Sequence, residues 1–595
     1  MRRRYAPLAF VLVASACAAP NASTNLPPCG PAGAAEKPAA DPNKSAAQTS
    51  ATQSPPAVEI RIAPTLGKVS VDVTMVLDAR AGQLGRVFVI HAPDAEAFRL
   101  NEARDSRSTI DVRRQDKPGQ ISVELGRLPE GELRLSYTVS SRAIPGRMPF
   151  LLSDPDRLQM KGDALLLPEL DGNPAIQTSL KVDISTYGTL ESGASISGVA
   201  TSYGIGGATK TTTTFRELRN AVFVAGRMDT AVFDTHEGHD EAAWFGYTAF
   251  DARPVSADNA AFRTAAGEFF GERSPEPFTL LIVPDSRPKG SFVAARYTHS
   301  VILHVSVSEP WSGPLRITTA VEILHAWMGE RLWIGPEDPA RAGEGAWFEA
   351  GVTRHLARDM LFRFGLVTPT EVADEVNGLE AVVATSPHAK KSNAELAAHL
   401  NEPGVVPLIV ARGALYALSV DAALRAKKKD AHDLSAVLRS LYGQAKERRG
   451  PLPTSAWIEA LEKELGKSAA ETFVETIERG DKLVLTDNAL GPCFRQETRK
   501  YVRYDLGFDE AASLQKEPRS IVGLSASGPA AKAGLKEGDV LVSLQTTPGR
   551  SDVPVFVVVD RAGSDFVASY LPAGAAAQGR GWTRRKDIPD ESCTK

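Results

Sequence analysis

Apolar and polar residues alternate in short runs along the chain from residue 58 onward. The clearest runs are Val58–Ile62, Val69–Val73, Val87–Ile90, Ile121–Leu125 and Leu133–Tyr137. A period of two places successive side chains on opposite faces of an extended chain, which is typical of β-strands with one buried face. The sequence therefore predicts an antiparallel β-sandwich to about residue 150 and further short strands to about residue 235.

The periodicity becomes helical near Ala257 and stays so to about residue 480. Within this part, Phe278–Val283 and Val301–Val305 are expected as buried strands, and Ala411–Lys427 and Ser455–Leu465 as amphipathic helices. The last hundred residues return to short strands around glycine turns. We therefore predict a multidomain α+β protein with a mostly helical centre. The predicted domains are residues 57–235, 236–485 and 490–580.

The N-terminus has the pattern of an export signal. Arg2–Arg4 form a positive segment, Leu8–Val13 form a short apolar segment, and Ala14–Ala16 precede Cys17. This order resembles a bacterial lipoprotein signal, which predicts removal of residues 1–16 and a lipid on Cys17. Alanine replaces the preferred leucine three positions before Cys17, so ordinary signal cleavage remains an alternative. In both cases we expect an exported protein of the cell envelope, and the lipid on Cys17 would anchor it to a membrane.

Residues 17–56 are rich in Ala, Pro, Ser and Thr and contain few large apolar side chains. Such a segment cannot bury enough surface to fold, so we predict a disordered tether. The formal net charge is −4. Since the sequence contains no strongly basic field, we expect no nucleic-acid partner.

The four cysteines are Cys17, Cys29, Cys493 and Cys593. Export permits disulfide bonds. If Cys17 carries a lipid, Cys493 and Cys593 remain as a pair that brackets the C-terminal domain, while Cys29 lies in the tether. We expect a Cys493–Cys593 bridge, with two reduced thiols as the alternative.

Residues 321–325 have the form of the zinc motif H-E-x-x-H, with valine at the first histidine position. In the intact motif two histidines four residues apart lie on one helix face and reach the same Zn²⁺. The glutamate between them activates the metal-bound water. Here Glu322 remains as a possible base and His325 as a possible ligand, but the side chain of Val321 cannot bind a metal.

Four more segments accompany this motif: His325-Ala326-Trp327, Trp347–Thr353, Gly365–Thr368 and Arg412–Leu415. Together they resemble the catalytic domain of the glycyl-aminopeptidase-like family. Its members are thermolysin-like gluzincins with an N-terminal β-domain and a C-terminal PDZ domain. In that family a second helix supplies a glutamate as the third zinc ligand. The resemblance covers most of the chain.

The chain departs from the family pattern at the positions that carry the chemistry. The ligand glutamate is replaced by Ala350, and Glu349 lies one residue away, about 100° around a helix. The segment Gly290–Ala295 corresponds to the family's substrate-amine loop and contains no carboxylate. The family's tyrosine falls at Ile409 or Val410.

Metal affinity depends on the number and geometry of ligands, so the resemblance implies that zinc is not tightly bound and that no cofactor is expected. The alternative is an active zinc aminopeptidase with a non-standard ligand set. The residues of that set would be Glu322, His325 and either Glu349 or His355. Weaker substitutes are Glu344 in a glycine-rich loop and the separate group His236-Glu237-Gly238-His239-Asp240.

The segment Ser527–Leu541 closely resembles the bacterial PDZ signature, with a short helix, Gly534 and a glycine turn into a strand. Upstream, Leu506, Gly507 and Phe508 resemble the loop whose N–H groups hold a peptide carboxylate. PDZ domains bind extended peptides by adding a strand to a sheet edge. We therefore expect the domain to bind peptides or protein C-termini, unless it only docks internally.

These features together predict a pseudo-peptidase of the cell envelope that binds peptides or proteins through its PDZ domain. The aminopeptidase with a non-standard ligand set is one alternative. A purely structural envelope lipoprotein is the other.

Overall fold

We describe the protein from a computed structural model. The structure describes residues 57–593 with gaps at 65–69, 79–84, 93–94, 141–150, 154–156, 168–175, 184–197, 236–237, 273–276, 286–289, 291, 403, 429–432, 484 and 547–548. The predicted signal segment and tether, together with Cys17 and Cys29, lie outside the described residues.

The N-terminal region is built from strands and one short helix, α1 (Phe215–Arg219). The strands are β1 (Ala57–Pro64), β2 (Ser70–Leu77), β3 (Val87–His91), β4 (Phe98–Arg104), β5 (Val112–Lys117), β6 (Gln120–Leu125), β7 (Leu133–Ser140), β8 (Leu151–Ser153), β9 (Arg157–Lys161), β10 (Ile176–Val182), β11 (Gly198–Thr201), β12 (Gly204–Ile205), β13 (Ala208–Thr213) and β14 (Val222–Gly226). They form sheets in the orders β13-β10-β1-β2-β7-β4, β3-β6-β5 and β12-β11-β14-β9-β8.

Alternation explains how these sheets pack. In β1, Val58, Ile60 and Ile62 are at most 1% exposed, while the residues between them face outward. Inward-facing residues of all three sheets join one apolar core, as expected when each strand buries every second side chain. The sequence predicted an antiparallel sandwich, but β1 pairs in parallel with β10 as well as antiparallel with β2.

A mixed sheet follows, with the order β15-β16-β17-β19-β18. Its strands are β15 (Asp229–Thr235), β16 (Gly238–Trp244), β17 (Phe278–Pro284), β18 (Val293–Tyr297) and β19 (Ser300–Val305). The expected strands at 278–283 and 301–305 are present as β17 and β19. The predicted boundary at residue 235 falls between β15 and β16, which pair antiparallel and both belong to this mixed sheet.

Helices cover this sheet and form the centre of the molecule. They are α2 (Ala252–Phe269), α3 (Gly313–Leu324), α4 (Thr353–Arg363), α5 (Pro369–Thr385), α6 (Asn393–Ala397), α7 (Val405–Lys428), α8 (Leu434–Arg448), α9 (Thr454–Leu465) and α10 (Lys467–Phe473), with π-helices at Trp347–Val352 and Val474–Arg479. Among the described residues, α7 is long and apolar enough to cross a membrane, but 78% of its apolar window is buried inside the protein. It is therefore the core helix of this region.

The C-terminal region contains β20 (Phe494–Tyr504), α11 (Glu510–Gln515), α12 (Pro529–Lys532), β21 (Val540–Gln545), β22 (Val555–Arg561), β23 (Ser564–Tyr570) and β24 (Ala573–Arg584). Strands β20 and β24 pair antiparallel, and β21, β22 and β23 form a separate sheet. The region thus has the strand-rich character that the sequence predicted.

The pair β20–β24 is docked on helix α5. The Asn377 amide donates to the Trp582 carbonyl oxygen at 2.9 Å, and the Trp582 N–H donates to the Asn377 side-chain oxygen at 2.6 Å. Arg580 donates to Glu380 at 2.9 Å. Cys493 and Cys593 form the expected disulfide, with their Cα atoms 5.5 Å apart.

Candidate functional site

Glu322 lies in the last turn of helix α3, and His325 directly follows its C-terminal residue. Pro314 occupies the first turn, where a missing N–H removes no helical hydrogen bond. The helix is buried along almost its whole length, and His325 follows its last residue as the C-cap. Glu322 is 5% exposed and His325 is 8% exposed, so both polar side chains lie in the protein interior.

The His325 ring is held by the turn that follows the helix. Its Nδ1 lies 3.2 Å from the carbonyl oxygen of Met328. Burial and the positive charge of Arg296 lower the pKa of His325 to about 4, so the ring is neutral at pH 7. Because a carbonyl oxygen only accepts, Nδ1 carries the proton and donates, which leaves Nε2 as the acceptor. Metal-binding histidines are oriented in this way by a backbone carbonyl.

The two positions that would complete a zinc site carry apolar side chains. Val321 is 7% exposed and packs in the same core as the rest of α3. Ala350 is half-buried in the π-helix Trp347–Val352. Neither side chain has an atom that can donate a lone pair to a metal.

Glu349 lies in the π-helix Trp347–Val352 and packs against the turn after His325. A Cβ placed on Gly329 would lie 3.2 Å from Glu349 Oε1, so this carboxylate packs against the Gly329 backbone. Gly329 has a φ of 90°, which permits the tight turn.

His355 has charged side chains next to both of its ring nitrogens. Its Nδ1 is 2.7 Å from Arg358 Nη2, and its Nε2 is 3.9 Å from Asp421 Oδ2 on α7. Burial and neighbouring arginines hold the pKa of His355 well below its usual value. Both ring nitrogens therefore face a buried charge network and neither faces His325.

The remaining sequence candidates have local partners. Glu344 accepts hydrogen bonds from Arg341 at 2.7 and 2.8 Å. The exposed side chain of His239, on strand β16, lies 3.2 Å from Glu241 Oε1. His236 and Glu237 lie outside the described residues.

The donor set does not fit zinc. Within the part of the chain that the structure describes, no three His, Cys, Asp or Glu side chains come together as a metal site. Structural and catalytic zinc ions have three or four protein ligands of these types. His325 and Glu349 contact the same turn, but Glu322, His325 and Glu349 do not form such a group.

The sequence analysis did not identify Arg296. Arg296 lies in strand β18, directly after the apolar residues Phe292–Ala295. Its side chain is 18% exposed. A basic residue directly after the predicted substrate-amine loop was the available signal.

The predicted peptide-carboxylate loop is packed into the C-terminal region. Leu506 and Phe508 are 6% and 9% exposed. The Gly507 N–H donates to Asp505 Oδ1 at 2.9 Å, so the protein's own carboxylate engages this loop donor. Helix α11 begins at Glu510, directly after Asp509, where an extended strand would be needed to pair with a peptide next to the loop.

No family model matches the sequence, and no curated protein matches it. Among solved structures, an aminopeptidase N family protein from Idiomarina loihiensis is similar at a TM-score of 0.65 and 16% identity, covering 90% of this chain and 99% of that chain. An M1 zinc metallopeptidase from Deinococcus radiodurans gives a TM-score of 0.47 at 18% identity, covering 72% and 95%. Yeast LTA4 hydrolase gives 0.44 at 11% identity, covering 72% and 68%. The first similarity shows that this chain has the fold of aminopeptidase N family proteins.

Proposed function

We propose that this protein is a pseudo-peptidase: an aminopeptidase scaffold without a working zinc centre that binds peptides or proteins in the cell envelope. The observation that carries this proposal is the pair Val321 and Ala350. Both occupy ligand positions on helices whose surroundings remain intact, with His325 still oriented by the Met328 carbonyl. Loss of the ligands on a preserved scaffold is the pattern expected when binding is retained and hydrolysis is not.

Export and anchoring belong to the same proposal. The Arg2–Arg4 segment, the apolar run Leu8–Val13 and the small residues before Cys17 support a lipid-anchored envelope protein. The Cys493–Cys593 disulfide supports an oxidising compartment, because disulfides are rare in reducing cytosol. Mass spectrometry of the mature N-terminus would test this part directly, and an unmodified Met1 would contradict it.

Peptide binding is assigned to the C-terminal region. Its PDZ-like signature Ser527–Leu541 supports this role. Within the described residues β23 pairs with β22 and with no other strand, so an extended peptide can add to its outer edge. Val567 on this strand is 64% exposed, which leaves an apolar side chain available to a partner.

A peptide-binding assay can tell whether the peptide binds at the Leu506–Phe508 loop or at the outer edge of β23. We expect labelled peptides that end in apolar residues to bind the mature protein, and the substitution Val567→Lys to weaken binding at least tenfold if β23 is the edge used. Gly507→Ala would weaken binding if the Leu506–Phe508 loop is used. Gly563→Ala is the matched control, since Gly563 also has a φ of 82° but no atom within 4 Å of an added Cβ. No binding of any peptide would favour the structural envelope lipoprotein.

The contact of Glu349 with Gly329, in the turn after His325, supports a second candidate, an active zinc aminopeptidase that uses Glu322, His325 and Glu349. Zinc stoichiometry of purified mature protein decides between the two candidates. Under our proposal the wild type carries far less than one equivalent and hydrolyses no aminoacyl substrate. A full equivalent that disappears in both His325→Ala and Glu349→Gln would establish the second candidate instead.

A further inference from the structure

One face of the sheet formed by β21, β22 and β23 is apolar and exposed to solvent. On β22, Val557 and Val559 face the C-terminal core and are fully buried, while Phe556 points the other way and is 51% exposed. On β23, Val567 is 64% exposed. Val542, the extra residue of a β-bulge in β21, is 59% exposed. Several large apolar side chains exposed on one sheet are typical of an interaction surface.

The register of β22 and β23 arranges this outer face in rows. Val558 lies opposite Val567 and forms a valine row with it. Two residues nearer the connecting turn, Asp560 lies opposite Asp565 and forms an aspartate row. Opposite residues of an antiparallel pair lie on the same face, and the next residue on that face lies about 7 Å further along the strand. The face therefore presents an apolar row beside an acidic one.

The aspartate row has no cationic partner within the part of the chain that the structure describes. Asp560 Oδ1 accepts a hydrogen bond from the Gly563 N–H at 2.8 Å, but neither Asp560 nor Asp565 forms an ion pair there. The neighbouring Arg561 lies over the Phe566 ring on the core side and does not reach the row. Like charges directly opposite each other destabilise a sheet, so a cation supplied by a partner would relieve the repulsion.

The outer edge of β23 is open to a further strand. Within the described residues β23 is the last strand of its sheet, and its seven residues pair with β22 without a register shift. The outward backbone groups of such a strand are a template for another strand. The opposite edge of the sheet differs, because the Leu541 N–H of β21 donates to the Arg519 carbonyl oxygen at 2.8 Å. An added strand therefore pairs with β23, where both rows end.

We propose that the partner at this edge is an extended peptide segment with a basic residue and an apolar residue two positions apart. An added strand places every second side chain on the outer face, so the basic residue extends the aspartate row and the apolar residue extends the valine row. The inference rests on the proposed function, because it names the chemistry of the peptide that the β23 edge binds. The same aspartates repel an anionic lipid surface.

Fluorescence anisotropy of the mature protein with two labelled probes tests the pattern. The first probe is the peptide Thr-Lys-Thr-Val-Thr-Val-Thr, blocked at both ends, and in the second probe glutamate replaces lysine. The wild type should bind the lysine probe at least tenfold more tightly than the glutamate probe. Added salt should reduce this difference, because it screens exposed charges. Equal affinities for the two probes would overturn the inference.

Charge exchange assigns the discrimination to Asp565. Asp565→Lys should weaken binding of the lysine probe at least tenfold and bring the glutamate probe within threefold of the affinity that the wild type has for the lysine probe. The control is Asp552→Asn, because this exposed carboxylate pairs with Arg550 at 2.7 Å and precedes β22 at the other end of the sheet. The control should change the affinity less than twofold. An equal loss in Asp565→Asn and Asp552→Asn would contradict the assignment.

Two further outcomes separate this inference from the proposed function. If peptides with free apolar C-termini bind and the blocked probes do not, the inference alone is wrong. If no peptide of either kind binds, the proposed peptide binding itself fails. Sedimentation velocity covers the remaining occupant of the face, since a dimer that Val567→Lys converts to a monomer would place a second copy of this chain there and overturn the inference.

Discussion

Gly351 and Gly413 meet at the crossing of the π-helix Trp347–Val352 with α7. A Cβ on Gly351 would lie 2.7 Å from the Gly413 Cα, and a Cβ on Gly413 would lie 2.2 Å from the Trp347 carbonyl oxygen. The two helix backbones are therefore in direct contact. These glycines belong to two separate sequence segments that suggested the peptidase resemblance, and the structure gives both a packing role.

The first prediction concerns this crossing. Gly413→Ala should reduce the free energy of unfolding by about 3 kcal/mol, because the added methyl group overlaps backbone atoms that cannot rotate away. Urea unfolding followed by circular dichroism measures the effect. The control is Gly443→Ala on the exposed face of α8, where no atom lies within 4 Å of the added Cβ. Alanine there should stabilise by roughly 0.5–1 kcal/mol, and equal effects at the two sites would contradict the packing argument.

The second prediction concerns the buried ion pair between α4 and α5. Arg354 Nε donates to Glu375 Oε1 at 2.6 Å, and both side chains are 1% exposed. Glu375→Gln leaves a buried guanidinium without its counter-charge and should cost about 3–5 kcal/mol of unfolding free energy. The exposed pair Arg107–Glu130 provides the comparison, where Glu130→Gln should cost less than about 1 kcal/mol. A similar loss of unfolding free energy in both variants would show that the contribution of an ion pair to stability does not depend on its burial.

The third prediction concerns the disulfide. Cys493 and Cys593 close a loop across a sequence separation of 100. Replacing both by serine should lower the free energy of unfolding by about 4 kcal/mol, because the unfolded chain regains conformational freedom. Thermal unfolding with and without dithiothreitol gives the measurement. The reductant should lower the midpoint of the wild type and leave the double variant unchanged, so a shift in the double variant would point to another cause.

The fourth prediction concerns the pH dependence of stability through His325. Its folded pKa of about 4 lies below the unfolded value of 6.5. Between these values the unfolded state binds the proton and the folded state does not, so unfolding free energy rises with pH and is lost as the pH falls. The contribution has a slope of up to about 1.4 kcal/mol per pH unit.

The contribution of His325 is measured by comparing variants, because other groups change the stability with pH in the opposite direction. Burial raises the pKa of Asp359 to about 6, so that carboxyl makes stability fall as the pH rises towards 6. In the variant His325→Gln, the free energy of unfolding should rise less steeply with pH between about pH 4.5 and 6 than it does in the wild type. His239→Gln is the control, since that side chain is 50% exposed. If the curves of unfolding free energy against pH run parallel for His325→Gln and the wild type, burial of His325 does not contribute to the pH dependence of stability.

Local patterns foretold most of the regular elements. The alternating runs became β1, β2, β3, β6 and β7. The segment 411–427 became most of α7, but the sequence predicted an amphipathic helix there and α7 is apolar and largely buried. These features depend on periodicity along the chain, which a single sequence displays. Trp327 and Trp347, which lie in two of the segments that suggested the resemblance, are core residues at 1% and 2% exposed.

Features set by distant contacts were not foreseen. The π-helix at Trp347–Val352 accompanies the close approach of Gly413, which no local pattern encodes. The link between Asn377 and Trp582 joins residues 205 positions apart. Helix α11 directly follows the segment Leu506–Phe508, and Asp509 caps it by accepting from the Ala512 N–H. At the candidate site, the missing ligands were visible in the sequence, but the ion pair of Arg296 with Glu330 joins a strand to a turn that no local pattern connects.

The pairing of β20 with β24 has a consequence for how this chain can be divided. Tyr504 lies opposite Ala573, so residues 505–572 leave and return at adjacent points of one hairpin. The docking contacts of Trp582 and the disulfide lie outside that interval. The PDZ-like part, residues 505–572, is thus an insertion between two paired strands. A short turn from Tyr504 to Ala573 can replace it without cutting the strands that bind α5. Another domain can be inserted at the same junction.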